Sequence, residues 1–110
     1  YWDKSGKFKN DPYAFLFSLV NDLNKPLKLV NNGSGNTIFC DAELGPTFGG
    51  GHDLCISSHC NSNQESFSNL GHTFQHQLIQ YGSIEAKTFL AGIHKFQVED
   101  IEVFNLSYAI

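Results

Sequence analysis

The sequence predicts a mainly β chain, at the α+β margin: a two-sheet antiparallel β-sandwich with a minor peripheral helix. Three observations predict it. Apolar residues come in short runs, several alternating with a period of two, separated by turns of Asn, Gly, Pro and Ser. Charged residues make up only 16% of the chain, against roughly 25% in typical globular domains, and Asn and Gly fill the gap. Hydrophobic residues reach 41%, ten of them Phe, enough to build a core. With 110 residues the chain is one domain, able to bury roughly 65% of its unfolded surface.

The elements follow in order. Residues 1–11 are polar, punctuated by Gly6 and followed by Pro12, and read as a loop. Residues 13–20, YAFLFSLV, read as a buried strand with Phe15, Phe17 and Leu19 on one face and Leu16 and Ser18 on the other. Asn21-Asp22 and Asn24-Lys25-Pro26 turn the chain, and Leu27 and Leu29 alternate with Lys28 in a strand with one wet face. Asn32-Gly33 is a hairpin signal, so Ile38-Phe39-Cys40 is expected as the returning strand. Residues 43–51 form a bend. Residues 53–57 form a strand with Leu54 and Ile56 on one face and Asp53, Cys55 and Ser57 on the other. Residues 61–71 read as a surface loop anchored by Phe67 and Leu70, and 72–77 as a strand. Ser83 is placed to cap a helical turn over 84–87, and 89–92 read as strand. In the last strand Phe96 and Val98 share one parity and Ile101 and Val103 the other, which a β-bulge at Glu99-Asp100 would reconcile.

Composition excludes several functions. A net charge of −4, with no basic cluster beyond Lys4, Lys7 and Lys9, argues against nucleic acid. No run approaches 18 apolar residues, so no membrane insertion is expected. There is no signal-peptide pattern and no initiating Met, in keeping with a piece of a longer chain. Cys40, Cys55 and Cys60 cannot form a closed disulfide set, which points to a reducing, intracellular setting, in the cytoplasm or at the cytoplasmic face of an organelle. The sequons Asn32-Gly33-Ser34 and Asn105-Leu106-Ser107 are read as chance matches in an Asn- and Ser-rich chain.

The stretch most able to carry chemistry is Gly49-Gly50-Gly51-His52-Asp53. A phosphate loop would open into a helix behind a Lys-Ser/Thr pair, whereas this run opens into a strand. It therefore reads as a tight bend, with at least one glycine expected at φ > 0 or against another backbone. His52, Cys55, His59 and Cys60 are zinc-compatible residue types, but His52 and Cys55 fall on opposite faces of a regular strand, so neither a metal nor another cofactor is expected. No G-x-S-x-G elbow is present, and nothing places a nucleophile beside Asp53 or His72. Cys55 would need a positive neighbour to become reactive, and only His52 and His59 are near in sequence. Glu99, Asp100 and Glu102 form an acidic patch that reads as a solvated edge or as a partner-facing surface.

Three segments carry a resemblance: FGGGHDLCIS at 48–57, SFSNLGHTFQ at 66–75 and FLAGIHKFQVEDIEVF at 89–104. With FLFSL at 15–19 and Trp2 upstream, they resemble, in order and spacing, the later part of a TLDc domain, the module of oxidation-resistance and nuclear receptor coactivator 7-like proteins. The resemblance implies a β-sandwich and action through binding: docking on the vacuolar-type proton ATPase, with protection from oxidative stress as a downstream effect. It brings no catalytic residues. The positions it matches, Gly49, Gly50, Gly51, Asn69, Gly71 and Glu102, look mostly structural. The family's front third, a helix and first hairpin, has no counterpart here, so residues 1–110 are expected to be the C-terminal two thirds of the domain. The piece should then leave strand edges unpaired and an apolar face wet, and need the rest of its protein or a partner to stay monomeric. The expected function is a non-enzymatic interaction module. The alternatives are a structural subunit of another large assembly and a small hydrolase or thiol-dependent enzyme using Cys55 or His52.

Overall fold

The computed structural model describes residues 5–104, so Trp2 and the sequon at 105–107 lie outside the described residues. The chain folds into two antiparallel sheets and one short helix. Its elements are β1 (Lys7–Lys9), β2 (Phe15–Ser18), β3 (Leu27–Asn31), β4 (Ile38–Cys40), β5 (Leu44–Phe48), β6 (Leu54–Ser57), β7 (Ser66–Ser68), β8 (Phe74–Gln75), α1 (Ile84–Thr88) and β9 (Lys95–Phe96). One sheet has the order β1-β4-β5-β6-β7-β9, the other β2-β3-β8.

The core lies between them and follows from strand parity. Leu16 faces Leu29 across β2 and β3, and Leu27, Leu29 and Phe74 share that inner face. Leu29 and Phe74 are fully buried. From the larger sheet Phe48 and Leu54, a directly paired couple, pack against this cluster, and Phe48 meets Phe74 edge-on at 6.2 Å. Leu70, Ile79 and, from α1, Ala86 complete the buried cluster.

Several elements differ from the sequence reading. β2 covers only 15–18, and its inward residue is Leu16. Phe15 and Phe17 point outward, 45% and 56% exposed, so the strand is half-buried rather than buried. The Asn32-Gly33 pair closes no hairpin, because β3 and β4 belong to different sheets. There the Asn31 and Asn32 side chains accept from the N–H groups of Gly33 and Ser34, local turns that redirect the chain from one sheet to the other. Residues 44–48, read as bend, are strand β5. The Gly45-Pro46 punctuation sits in a register shift between Leu44 and Thr47, where proline's missing N–H costs no ladder bond. The three-residue strands β1 and β7 lie in stretches read as loop. They are held by pairing with β4 and with β6 and β9, a tertiary cause that local pattern does not carry.

Residues 89–92 are not strand. Phe89 keeps helical dihedrals as the C-cap of α1, and the Gly92 N–H bonds the Thr88 carbonyl. The last strand is cut short. Only Lys95 and Phe96 pair, with Phe67 and Ser66, and 97–104 forms no strand, so no bulge reconciles Phe96 with Ile101. Helix α1 does start where the cap predicts. Ser83 is extended (φ −80°, ψ 163°), and its Oγ accepts from the Ala86 N–H at 3.1 Å. Ser83→Ala is expected to cost about 1 kcal/mol in a urea unfolding titration.

Candidate functional site

The residues singled out in the glycine motif and in the Asn69-Leu70-Gly71 segment converge at one end of the sandwich. A buried aspartate joins them. The β5–β6 connection turns through Gly49 at φ 90° and His52 at φ 52°, and delivers Asp53, fully buried, at the foot of β6. One Asp53 oxygen, Oδ2, accepts the backbone N–H groups of both Thr73 and Phe74 at 2.9 Å. The Asp53 carbonyl accepts the N–H of Asn69 at 2.9 Å. The Gly50 N–H donates to Thr73 Oγ1 at 2.8 Å, and the Gly49 N–H donates to the Thr37 carbonyl at 2.8 Å. Asn32 adds its N–H to the Thr73 carbonyl, and Gly71 donates to the Phe74 carbonyl. The turn thus ties β5 and β6 of one sheet to the approaches of β3 and β8 in the other.

Burial pushes the Asp53 carboxyl above its ordinary value, while the Phe74 and Thr73 N–H groups and nearby His72 pull the other way without cancelling it. Its second oxygen, Oδ1, has no hydrogen-bond partner among the described residues and fills the space a Cβ on Gly49 would take. Sequence reasoning weighed Asp53 only as a strand residue and as a partner for a nucleophile, and did not single out Thr73. The available signal was an acidic residue directly behind a glycine run at the start of a strand, where a side chain can satisfy the N–H groups a turn leaves open.

His72 joins this network, its Nδ1 3.1 Å from Thr73 Oγ1, whereas the cysteines and the His52 ring lie outside it. Ladder pairing sets Phe8, Phe39, Thr47, Cys55, Phe67 and Lys95 in one row across the outer face of the larger sheet. Phe39 and Phe67 stand three strand spacings apart, about 14 Å, and the His52 ring bridges them, 5.2 Å from one and 6.5 Å from the other. Thr47 and Cys55 lie between the two Phe positions and are sealed, 0% and 1% exposed. Thr47 Oγ1 donates to Cys55 Sγ at 3.5 Å, and burial pushes the thiol up, away from the thiolate a nucleophile needs. No disulfide joins the three cysteines, and the described residues hold no group of three or more His, Cys, Asp or Glu able to hold a metal ion. Glu99, Asp100 and Glu102 are exposed on 97–104, which the motif network does not include.

A family model, the TLDc domain, matches residues 1–107. The chain belongs to the TLDc domain family. No curated protein and no solved structure matches it. The TLDc segments named above therefore have a physical reading in this member. The glycine turn and the Asn69-Leu70-Gly71-His72-Thr73-Phe74 run are the two halves of one latch around Asp53. No helix among the described residues is long and apolar enough to cross a membrane.

Proposed function

We propose that this TLDc chain is a non-enzymatic protein-interaction module, intracellular, that docks on the vacuolar-type proton ATPase and through it contributes to oxidative-stress protection. The observation that carries the reading is the outer face of the β2–β3–β8 sheet. Phe15, Phe17 and Val30 are 45%, 56% and 53% exposed there, and Lys28 Nζ sits 4.3 Å over the Phe15 ring. An apolar face of this kind on a folded sheet is what a binding protein presents. Glu99, Asp100 and Glu102 add a separate acidic surface. The same outward aromatics support reading residues 1–110 as the later two thirds of a larger TLDc domain, the face being covered in the whole protein or by its partner. Buried, protonated Cys55 supports the non-enzymatic reading.

The test uses the full-length protein and membranes bearing the proton ATPase. Co-sedimentation with those membranes is expected, lost when an inhibitor or salt wash strips the pump's peripheral sector. Charge removal at Glu99, Asp100 and Glu102 together, or Phe17→Glu, should weaken it about tenfold. Equal recovery with membranes lacking the pump would overturn the reading.

A further inference from the structure

The β2–β3 turn, the segment after β8 and helix α1 enclose an apolar groove of about 220 Å³. Its floor is Ile79, 6% exposed, and Phe89 forms one wall. Leu23 and Leu78 stand at its mouth, 43% and 49% exposed, and Asp22 and Glu85 flank it with carboxylates. Neither carboxylate is in an ion pair among the described residues.

All three walls are fixed by hydrogen bonds. In the β2–β3 turn the Asn21 side chain donates to the Lys25 carbonyl at 2.8 Å and accepts the Leu23 N–H at 2.9 Å, while Asn24 takes a left-handed φ of 55°. After β8, His76 Nδ1 accepts the Leu78 N–H and the His76 carbonyl accepts the Ile79 N–H, both at 3.0 Å. Glu85 rides on the first turn of α1, held by the Ser83 cap. A groove built this way needs little ordering on binding, which is where weak sites lose most of their affinity.

We propose that this groove is a docking site for a short basic–apolar segment of a partner protein: an apolar side chain seated on Ile79 between Leu23 and Leu78, with Lys or Arg beside it facing Asp22 and Glu85. The volume suits one or two branched apolar side chains, and the charge complementarity selects the flanking cation over an acidic segment. The site is separate from the sheet face and the acidic 99–102 surface, and it stands whether or not the proton ATPase is the partner.

The test uses the chain together with the rest of its protein and a labelled, end-blocked peptide carrying Leu-Leu flanked by Arg-Arg pairs. Fluorescence anisotropy at low salt reads affinity, and amide chemical shifts locate the site. Saturable binding is expected, with shifts centred on Leu23, Leu78, Ile79 and Phe89. It should weaken at least tenfold in the Asp22→Asn, Glu85→Gln double variant, with a flatter salt dependence, and at least tenfold in Leu78→Ala. Both variants change exposed positions, and a thermal melt confirms that they fold. The proposal is overturned by equal affinity for the peptide with Glu in place of Arg, by shifts centred on Phe15 and Phe17, or by no binding at millimolar peptide. It is equally overturned if Leu23 and Leu78 shift with protein concentration alone, which would make the occupant a second copy.

Discussion

Gly49→Ala is expected to lower the unfolding free energy by about 2–4 kcal/mol, combining a left-handed backbone with a steric clash. Gly49 has φ 90°, and a methyl group there would come within 2.0 Å of Asp53 Oδ1 and 3.1 Å of its Cβ. Asp53 cannot retreat, because its other oxygen holds two backbone N–H groups of the facing segment. Its neighbours in the triplet should behave differently. A Cβ at Gly51 meets the His72 ring at 2.6 Å and the His72 Cβ at 2.7 Å; the ring can turn, but Cβ moves only with the backbone, so a cost above about 1 kcal/mol is expected without the left-handed strain of Gly49. At Gly50 the nearest atom is a side-chain carbon at 3.3 Å, and Ala should cost under about 1 kcal/mol. Urea titrations of the three variants check the ranking. Equal midpoints would show that the turn does not bear on the Asp53 latch.

Asp53→Ala should be about as damaging, costing roughly 2–4 kcal/mol, because it strands the buried N–H groups of Thr73 and Phe74 together. Asp53→Asn should recover part of this. Both donors use a single oxygen, which an amide supplies, but the amide NH2 would be buried where Oδ1 has no partner among the described residues. The two carboxamide and carboxylate proteins should then part company with pH. Because burial raises the Asp53 pKa in the folded state, the folded protein holds this proton more tightly than the unfolded chain does. Its contribution to stability is therefore fully present below about pH 4, the unfolded carboxylate range, and is lost as pH rises through the folded value. Measured against Asp53→Asn, the wild-type protein should lose stability on going from pH 4 toward neutrality. A difference that grows in the opposite direction would mean that the two N–H bonds outweigh burial.

Much of this architecture was legible because it is local. The Ser83 cap is a contact three residues long, and the alternation of Leu27, Lys28 and Leu29 states its own wet face. The family resemblance, carried by the glycine triplet and the Asn69-Leu70-Gly71 run, is borne out by the model match. What was not legible depends on partners far away in the chain. β1 is a strand only because β4 lies beside it, 33 positions from Lys7 to Cys40. Which side of β2 faces inward is decided by Leu29 across the ladder, so the larger Phe15 and Phe17, the better hydrophobes by size, stay outside. The latch was half visible for the same reason. Its glycines announce themselves by composition, whereas Asp53 acquires meaning only when Thr73 and Phe74, twenty residues on, turn their N–H groups toward it.

The imidazole bridge over the outer row also orders the chain's encounters with oxidants in time. Cys60 is partly exposed, whereas Cys40 and Cys55 are shut inside, Cys55 beneath a ring carried by the very turn that Asp53 secures. A peroxide molecule reaches Cys60 by diffusion alone, but it reaches Cys55 only during an opening of the 49–53 turn. Because reclosing outpaces peroxide attack on a protonated thiol, the rate at which that second sulfur is modified follows the open fraction of the turn multiplied by the oxidant concentration. At a fixed oxidant concentration, the rate of Cys55 modification therefore measures the free energy of opening that turn.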